Sequence, residues 1–315
     1  TSSDPTDSDG VPKLQASATV IDYKTGQVKV LIGGRGNQPP TSLNRAYFDL
    51  KSIGSTTKPL TVYGPAIDTK LITAGTPLDD SSVSSEIIKK YNFGSVNPKN
   101  ADGSMAGYVT AREALVYSKN LTSIKTVDML GLDTALEYGE RAGLKYAPES
   151  HTMSALALGQ FEQPTGNRDG GNTTILASAY GALGNNGVIY EPSLYTKVED
   201  SSGNVLLERE SKATTLFSPQ TSYILYDILK GSSSKAQFSD IPVAGKTGTT
   251  NESDNYWFAG VTPYYSGSIW IGYDIPQKMS GGSGSAATLF GKVMSVVHSG
   301  LSYTDIEAPT GLVQA

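Results

Sequence analysis

The sequence predicts a mixed α/β (α+β) fold in which one sheet is built from both ends of the chain around an inserted helical lobe. Strand patterns dominate before about residue 53 and after about 237, and between those points, a hairpin near 195–210 apart, apolar residues recur at threes and fours. Composition sets the frame. Of 315 residues, 38% are hydrophobic and 17% charged, with 34 glycines scattered rather than periodic. That excludes collagen-like and disordered chains and leaves enough apolar surface for a sizeable core. The organisation expected is a tail over residues 1–12, then a sheet lobe from 13–53 and 237–315 enclosing a helical lobe over 54–236.

The opening TSSDPTDSDG is too polar to bury surface and reads as a tail or linker, as on a piece cut from a longer protein. Ala16, Ala18 and Val20, then Val28, Val30 and Ile32, alternate on either side of KTGQ at 24–27, which predicts a β-hairpin. Gly33, Gly34 and Gly36 stop its second strand; no helix-forming run follows them, so they read as a loop and not a phosphate cradle. AREALVYSKN and TSIKTVDMLGLDTALEYGERAGL carry helical spacing through Val127, Leu130, Ala135 and Leu136. TILASAYGALGNNG is an apolar helix closed by Asn186 and Gly187, and YTKVEDSSGNVLLERE is a hairpin turning at 200–204. Three strands follow in VAGKTGTT, NYWFAGVTP and SGSIWIGYD. In the last, Ile269, Ile271 and Tyr273 alternate with Trp270 and Gly272 as on a half-buried strand. The final helix, AATLFGKVMSVVHSGL, bears a stripe of Leu289, Phe290, Val293, Met294 and Val297 with Gly300 as its cap.

Several chemistries are excluded at once. There is no Cys, so thiol nucleophiles, thiolate metal sites and disulfides are absent. The two histidines, His151 and His298, leave little room for a His-rich metal site and limit any Ser-His-Asp relay to two candidates; no metal and no cofactor is expected. A net charge of −5 argues against nucleic-acid binding. No apolar stretch approaches a membrane span, and no signal peptide opens the chain. The economical nucleophile that remains is a serine activated by a lysine whose amine is kept neutral by burial and neighbouring cations.

Ser55 and Lys58, in IGSTTKPL, stand three apart at the start of a helix, which places them on one face with the helix N-terminus favouring negative charge on the serine oxygen. Alone, the spacing more often marks a solvated helix face. Ser232 and Lys235 repeat it in the polar run GSSSKAQ, which reads as loop. Two further motifs change the weighting. Lys246, Thr247, Gly248 and Thr249 lie on a predicted strand, where a central glycine lets a substrate backbone approach and the lysine and hydroxyls suit a carboxylate. Lys24-Thr25-Gly26 repeats the tripeptide in a hairpin turn. Gly245-Lys246-Thr247 resembles the end of a P-loop, but Asp240 occupies the required upstream glycine position and a strand follows. A Ser-x-Asn element is the second. Of Ser42-Asn44, Ser95-Asn97, Ser118-Asn120 and Ser202-Asn204, only Ser118-Asn120 closes a well-patterned helix inside the helical lobe.

The ordered set Ser-x-x-Lys, Ser-x-Asn, Lys-Thr-Gly-Thr resembles the penicillin-recognising acyl-serine transferases. TGQVKVLIGG, NRAYFDLKSIGSTTKPL, GYVTAREALVYSKN, SALALGQFE, AYGALGNNGVIYEPSL, AGKTGTTNESDNYWFAGVTP and IWIGYD narrow the resemblance, in order from Gln15 onward, to transpeptidase domains of class A (bifunctional) penicillin-binding proteins of Gram-positive character. The resemblance implies a five-stranded antiparallel sheet with helices on both faces, of the kind shared with serine β-lactamases, and a site between sheet edge and helical lobe. It implies that Ser55 attacks the penultimate D-alanine carbonyl of a peptidoglycan stem peptide and that Lys58 takes the Ser55 proton, although which lysine or water is the base in this superfamily is disputed. By the same resemblance Ser118 would relay a proton to the leaving amine and Asn120 would hold a substrate amide. It implies too that Lys246, Thr247 and Thr249, around Gly248, would bind the terminal carboxylate or that of a β-lactam, and that the backbone amides of Ser55 and Thr249 would form the oxyanion hole. It further implies an upstream glycosyltransferase domain and membrane anchor on the extracytoplasmic face of the plasma membrane. GNRDGGNTT, 166–174, is longer and more polar than the resemblance leads one to expect and reads as a surface loop or part of a rim through which substrate enters.

Competing functions separate by sequence to different degrees. A class A β-lactamase needs a Glu-x-x-Leu-Asn element, which is missing, and class D enzymes carry Val in place of Asn120. A D,D-carboxypeptidase shares the acylation chemistry and differs only in using water as acceptor. A non-catalytic cell-wall-binding scaffold is the reading that the 18 tyrosines favour, against an intact set of motifs.

Overall fold

The computed structural model describes residues 5–94, 97–162 and 169–313. Strands β1 (Leu14–Asp22) and β2 (Gln27–Ile32) form the first hairpin. A single 3-10 turn, Gly54–Thr57, then leads through a π turn, Pro59–Tyr63, into α1 (Gly64–Asp68). In the helical lobe follow β3 (Pro77–Asp80), α2 (Ser85–Lys90), β4 (Gly107–Thr110), α3 (Ala111–Val116), α4 (Asn120–Leu130), α5 (Leu132–Arg141) and α6 (Met153–Leu158). Thr110 and Glu113 close a reciprocal capping box at the start of α3. Gly131, at φ +91°, divides the pattern read across TSIKTVDMLGLDTALEYGERAGL into α4 and α5.

Helix α7 (Thr173–Gly184) is buried at every residue from Leu176 to Leu183, as an apolar helix packed between layers must be. Short strands β5 (Val188–Tyr190), β6 (Lys197–Glu199), β7 (Val205–Glu208) and β8 (Ala213–Thr215) pair as β5 with β8 and β6 with β7. Then come α8 (Pro219–Lys230), β9 (Ala244–Thr249), β10 (Asn255–Val261), β11 (Ser266–Tyr273) and α9 (Gly284–Val297). The main sheet has five antiparallel strands in the order β2-β1-β11-β10-β9, so the two ends of the chain meet where β1 pairs with β11. Helix α9 covers one face through Phe290 and Met294 on Val20, Phe258 and Ile269; α7 and the helical lobe cover the other, over Trp257, Trp270 and Val261.

Three expectations need correction. The last strand is covered on both faces, because Trp257 and Trp270, opposed across β10 and β11, lie under the α7 layer while Phe258 and Ile269 pack beneath α9. Residues 166–168 lie outside the described residues, but the rest of that polar stretch is interior. Asp169, Gly170, Gly171, Asn172 and Thr173 are buried, Gly171 exchanges backbone hydrogen bonds with Lys51 at 3.0 Å, and Asn172 caps α7 by accepting the Ile175 N–H at 2.9 Å. The polarity therefore serves capping and bridging inside the fold. Residues 5–12 are in part folded back: Asp7 accepts the N–H groups of Asp9 and Val11 at 2.9 Å, Lys13 donates to the Pro5 carbonyl at 2.8 Å, and Val11 is buried.

Candidate active site

Ser55 sits in the turn Gly54–Thr57, which is wedged against the outer edge of β9. Gly54 adopts φ +55°, and a Cβ there would fall 2.5 Å from the Thr249 carbonyl oxygen and 2.7 Å from its nitrogen. Behind it Gly159, at φ +69°, accepts the N–H groups of Ile53 and Gly54 at 3.1 and 3.0 Å; its own Cβ would fall 2.1 Å from the Gly54 carbonyl. Both positions need glycine for conformation and for space. Side chains from the sheet, from α7 and from the turn itself hold the rest. The Trp257 indole donates to the Ser52 carbonyl at 2.9 Å, Thr56 Oγ1 to the Ile53 carbonyl at 2.8 Å, and the Tyr180 hydroxyl to the Thr56 carbonyl at 2.8 Å. The half-buried Ser55 thus projects from a turn whose backbone is fixed on three sides.

Lys58 is fully buried. Its Nζ donates to the Ser118 carbonyl and to Asn120 Oδ1, each at 2.7 Å, with Ser118 Oγ at 3.4 Å. A neutral amine has two N–H groups and one lone pair; two carbonyl-type acceptors at 2.7 Å use both donors and leave the lone pair free to take a proton. Electrostatics favour that state. Burial holds the Lys58 amine well below the usual lysine range, the positive charge of Lys246 lowers it further, and only Asp80 opposes them.

Ser118 and Asn120 stand at the α3–α4 junction, where Ser118 takes φ +59° and Asn120 begins α4. The Asn120 amide is held at both ends: Oδ1 receives Lys58 and Nδ2 donates to the Lys99 carbonyl at 2.9 Å, so its orientation is fixed, and among the described residues its second N–H has no partner. On the opposite side, Lys246 is buried in β9 and its amine is pushed down to about 7 by burial. Its Nζ donates to the Thr247 carbonyl at 3.3 Å. Gly248 lets β9 close on the turn that carries Ser55, since a Cβ there would fall 2.3 Å from the Ile53 carbonyl. Thr247 and Thr249 alternate with them along the strand, both half-buried. β9 pairs only with β10 in the main sheet, so its other edge faces the turn that carries Ser55. The structure therefore brings the eight predicted positions together where the β9 edge meets the helical lobe.

Sequence reasoning missed a buried polar group behind this wall. Asn100 accepts the N–H groups of Asn120 and Leu121 at 2.7 and 3.2 Å, and donates to Asp80 and to the Ser104 carbonyl at 2.7 and 2.8 Å. Asp80, wholly buried, also accepts the Ala106 N–H at 3.1 Å and faces Lys119 Nζ at 3.4 Å. No local spacing signals the group, because its members come from separate segments; NPKN at 97–100 reads only as a loop. The histidines lie apart from these contacts. His298 is buried between Thr262 Oγ1 and the Met294 carbonyl, each at 2.8 Å, and His151 is exposed. Among the described residues, no cluster of His, Asp or Glu is placed to hold a metal ion, and no helix is long and apolar enough to cross a membrane. A groove of about 510 Å³, lined by Val28, Tyr47, Leu194, Tyr195 and Arg209, lies at the opposite, β2 edge of the sheet.

Residues 16–295 match the family model for the penicillin-binding protein transpeptidase domain. The chain is 53% identical over 311 residues to penicillin-binding protein 1A of Clostridium perfringens, covering 96% of this chain and 37% of that protein. It is 46% identical to the Clostridium acetobutylicum protein of the same name, covering 98% and 39%. The chain thus spans about two fifths of the length of these curated relatives. Among solved structures, penicillin-binding protein 1A from Haemophilus influenzae superposes with a TM-score of 0.81 at 21% identity, over 96% of this chain and 51% of that one. PonA1 from Mycobacterium tuberculosis in complex with penicillin V superposes with a TM-score of 0.77 at 20% identity, over 96% and 82%. At those identities the two structures speak to the fold alone.

Proposed function

The chain belongs to the penicillin-binding protein transpeptidase domain family, and from that premise we propose that it is a serine D,D-transpeptidase cross-linking peptidoglycan stem peptides through an ester on Ser55. The observation that carries the proposal is the Lys58 amine, buried three residues after Ser55, held 2.7 Å from both the Ser118 carbonyl and Asn120 Oδ1, with its charge opposed by burial and by Lys246. Lys58 takes the Ser55 Oγ proton as Oγ bonds to the carbonyl carbon of the penultimate D-alanine. The backbone N–H groups of Ser55 and Thr249 stabilise the resulting oxyanion, a contribution of about 2.7–4 kcal/mol per donor. The C–N bond then breaks, terminal D-alanine leaves as an amine, and Ser118 passes it the proton. An amine from a neighbouring stem peptide attacks the ester, forms the new amide and returns Ser55 to the hydroxyl.

Binding follows the same geometry. Lys246, as a cation, and the hydroxyls of Thr247 and Thr249 hold the terminal carboxylate, while Gly248 leaves the β9 edge open to a peptide backbone. The free Asn120 N–H holds a substrate amide. A β-lactam presents the same carboxylate and a strained amide, so it acylates Ser55 and stays. The sheet lobe, 13–53 and 237–315, and the helical lobe, 54–236, are the two walls of this one domain. The relatives' greater length is in keeping with a further, glycosyltransferase domain in the full-length protein, and the proposed reading adds a membrane anchor that holds the transpeptidase at the extracytoplasmic face of the bacterial plasma membrane.

Incubation with a stem pentapeptide and an amine acceptor tests the proposal. Release of D-alanine with cross-linked product is expected. Free tetrapeptide alone would make the chain a D,D-carboxypeptidase, and neither product would leave a cell-wall-binding scaffold.

A further inference from the structure

Helix α4 carries Asn120 at its first residue yet has no side-chain cap of its own: its N-cap is Lys119, whose side chain has no acceptor to offer. The cap comes from Asn100, which is 20 residues away in sequence, buried, and accepts the two leading N–H groups of the helix. Asn100 is aimed in turn by Asp80, through its Nδ2 at 2.7 Å, and the neighbouring Lys99 carbonyl sets the Asn120 amide. A wholly buried carboxylate therefore stands behind the residue that holds the Lys58 amine.

We propose that Asp80 and Asn100 are positioning residues for acyl transfer at Ser55: Asn100 fixes the start of α4 and with it Asn120, while Asp80 anchors Asn100 and places a negative charge behind the Lys58 amine. The inference rests on the function proposed above. The charges acting on Lys58 are Lys246 from β9, which disfavours its proton, and Asp80 from β3, which favours it. Around Asp80 stands Lys119 at 3.4 Å, itself 3.3 Å from Asp102. Without Asn100, two amides at the end of α4 lose their acceptor and Asn120 loses its register on Lys58. Without the Asp80 charge, Lys58 releases its proton at lower pH.

The second-order rate of labelling by a fluorescent penicillin, measured from pH 5 to 9, tests this on the folded chain. Asn100→Ala is expected to slow labelling by about tenfold to a hundredfold, as small misplacement of a reacting group does. Asp80→Asn is expected to shift the acid limb of the profile to lower pH by about half a unit or more, and Lys119→Met to shift it the other way. Opposite shifts cannot arise from general damage, and if one charge variant fails to fold the sign of the other still decides. Thr262→Val, which removes a buried hydrogen bond to His298, serves as the destabilised control and should label at the wild-type rate. Folded Asn100→Ala labelling at the wild-type rate, an acid limb unmoved in the charge variants, or a Thr262→Val loss equal to that of Asn100→Ala would overturn the proposal. A wild-type chain that takes no label at all would instead overturn the function and the positioning role with it.

Discussion

At Ser55 and Lys58, the spacing Ser-x-x-Lys spans a turn clamped between β9, Gly159 and α7, and its lysine is sealed from water against Ser118 and Asn120. At Ser232 and Lys235 the same spacing lies after α8. There the serine hydroxyl bonds to the carbonyls of Gly245 and Leu229 at 2.6 and 3.2 Å, and the lysine is exposed. Lys-Thr-Gly is duplicated in the same way. Lys246-Thr247-Gly248 is built into an edge strand, whereas Lys24 and Thr25 are exposed in the β1–β2 turn, where Thr25 Oγ1 bonds to the Asp22 carbonyl at 3.3 Å. What separates the copies is desolvation and the number of donors already engaged. Spacing brings the groups together; burial makes an amine into a base.

Substitutions that exchange the two copies should give unequal results. Ser55→Ala is expected to abolish the covalent penicillin adduct, and Ser232→Ala to leave it unchanged, as read by intact mass. Gly54→Ala should follow in size. Its methyl group collides with the Thr249 backbone at a positive φ, so acylation is expected to fall by about a hundredfold or more. Lys246→Ala should slow penicillin acylation by about tenfold or more, while Lys24→Ala should leave the rate untouched; a measured loss at Lys24 would break the comparison.

Two smaller effects follow from pH. In the free protein Lys246 loses its charge as pH rises through about 7, so the rate of acylation by a carboxylate-bearing β-lactam should decline on the alkaline side of that point. The effect on stability has the opposite sense. The folded-state affinity of Lys246 for its proton is depressed below that of the unfolded chain, so destabilisation is fully present below about pH 7. Stability should therefore rise as pH increases from there toward the ordinary lysine range, with Lys58 acting in the same direction. Lys246→Met should raise Tm at pH 7 by a few degrees, roughly, while impairing acylation; an unchanged or lowered Tm would count against a buried, strained cation.

The hairpin and the three C-terminal strands were legible because each carries its own alternation, and the motifs because their order along the chain is informative even when each spacing recurs by chance. Contacts made across long stretches of sequence were not. Nothing around Asn100 announces that it caps a helix 20 residues on, and nothing in IWIGYD says that α7 covers its second face. The polarity of residues 169–174 suggested solvent because capping and bridging inside a fold demand the same residue types as a loop. The α4–α5 break was likewise hidden inside one continuous apolar period, with Gly131 as its only mark.

If a single serine, Ser55, carries the acyl group, peptide mapping of the wild-type chain after brief exposure to penicillin should find one adduct per chain, of the full drug mass, on the peptide containing Ser55. An adduct on any other serine, or none, would contradict that assignment.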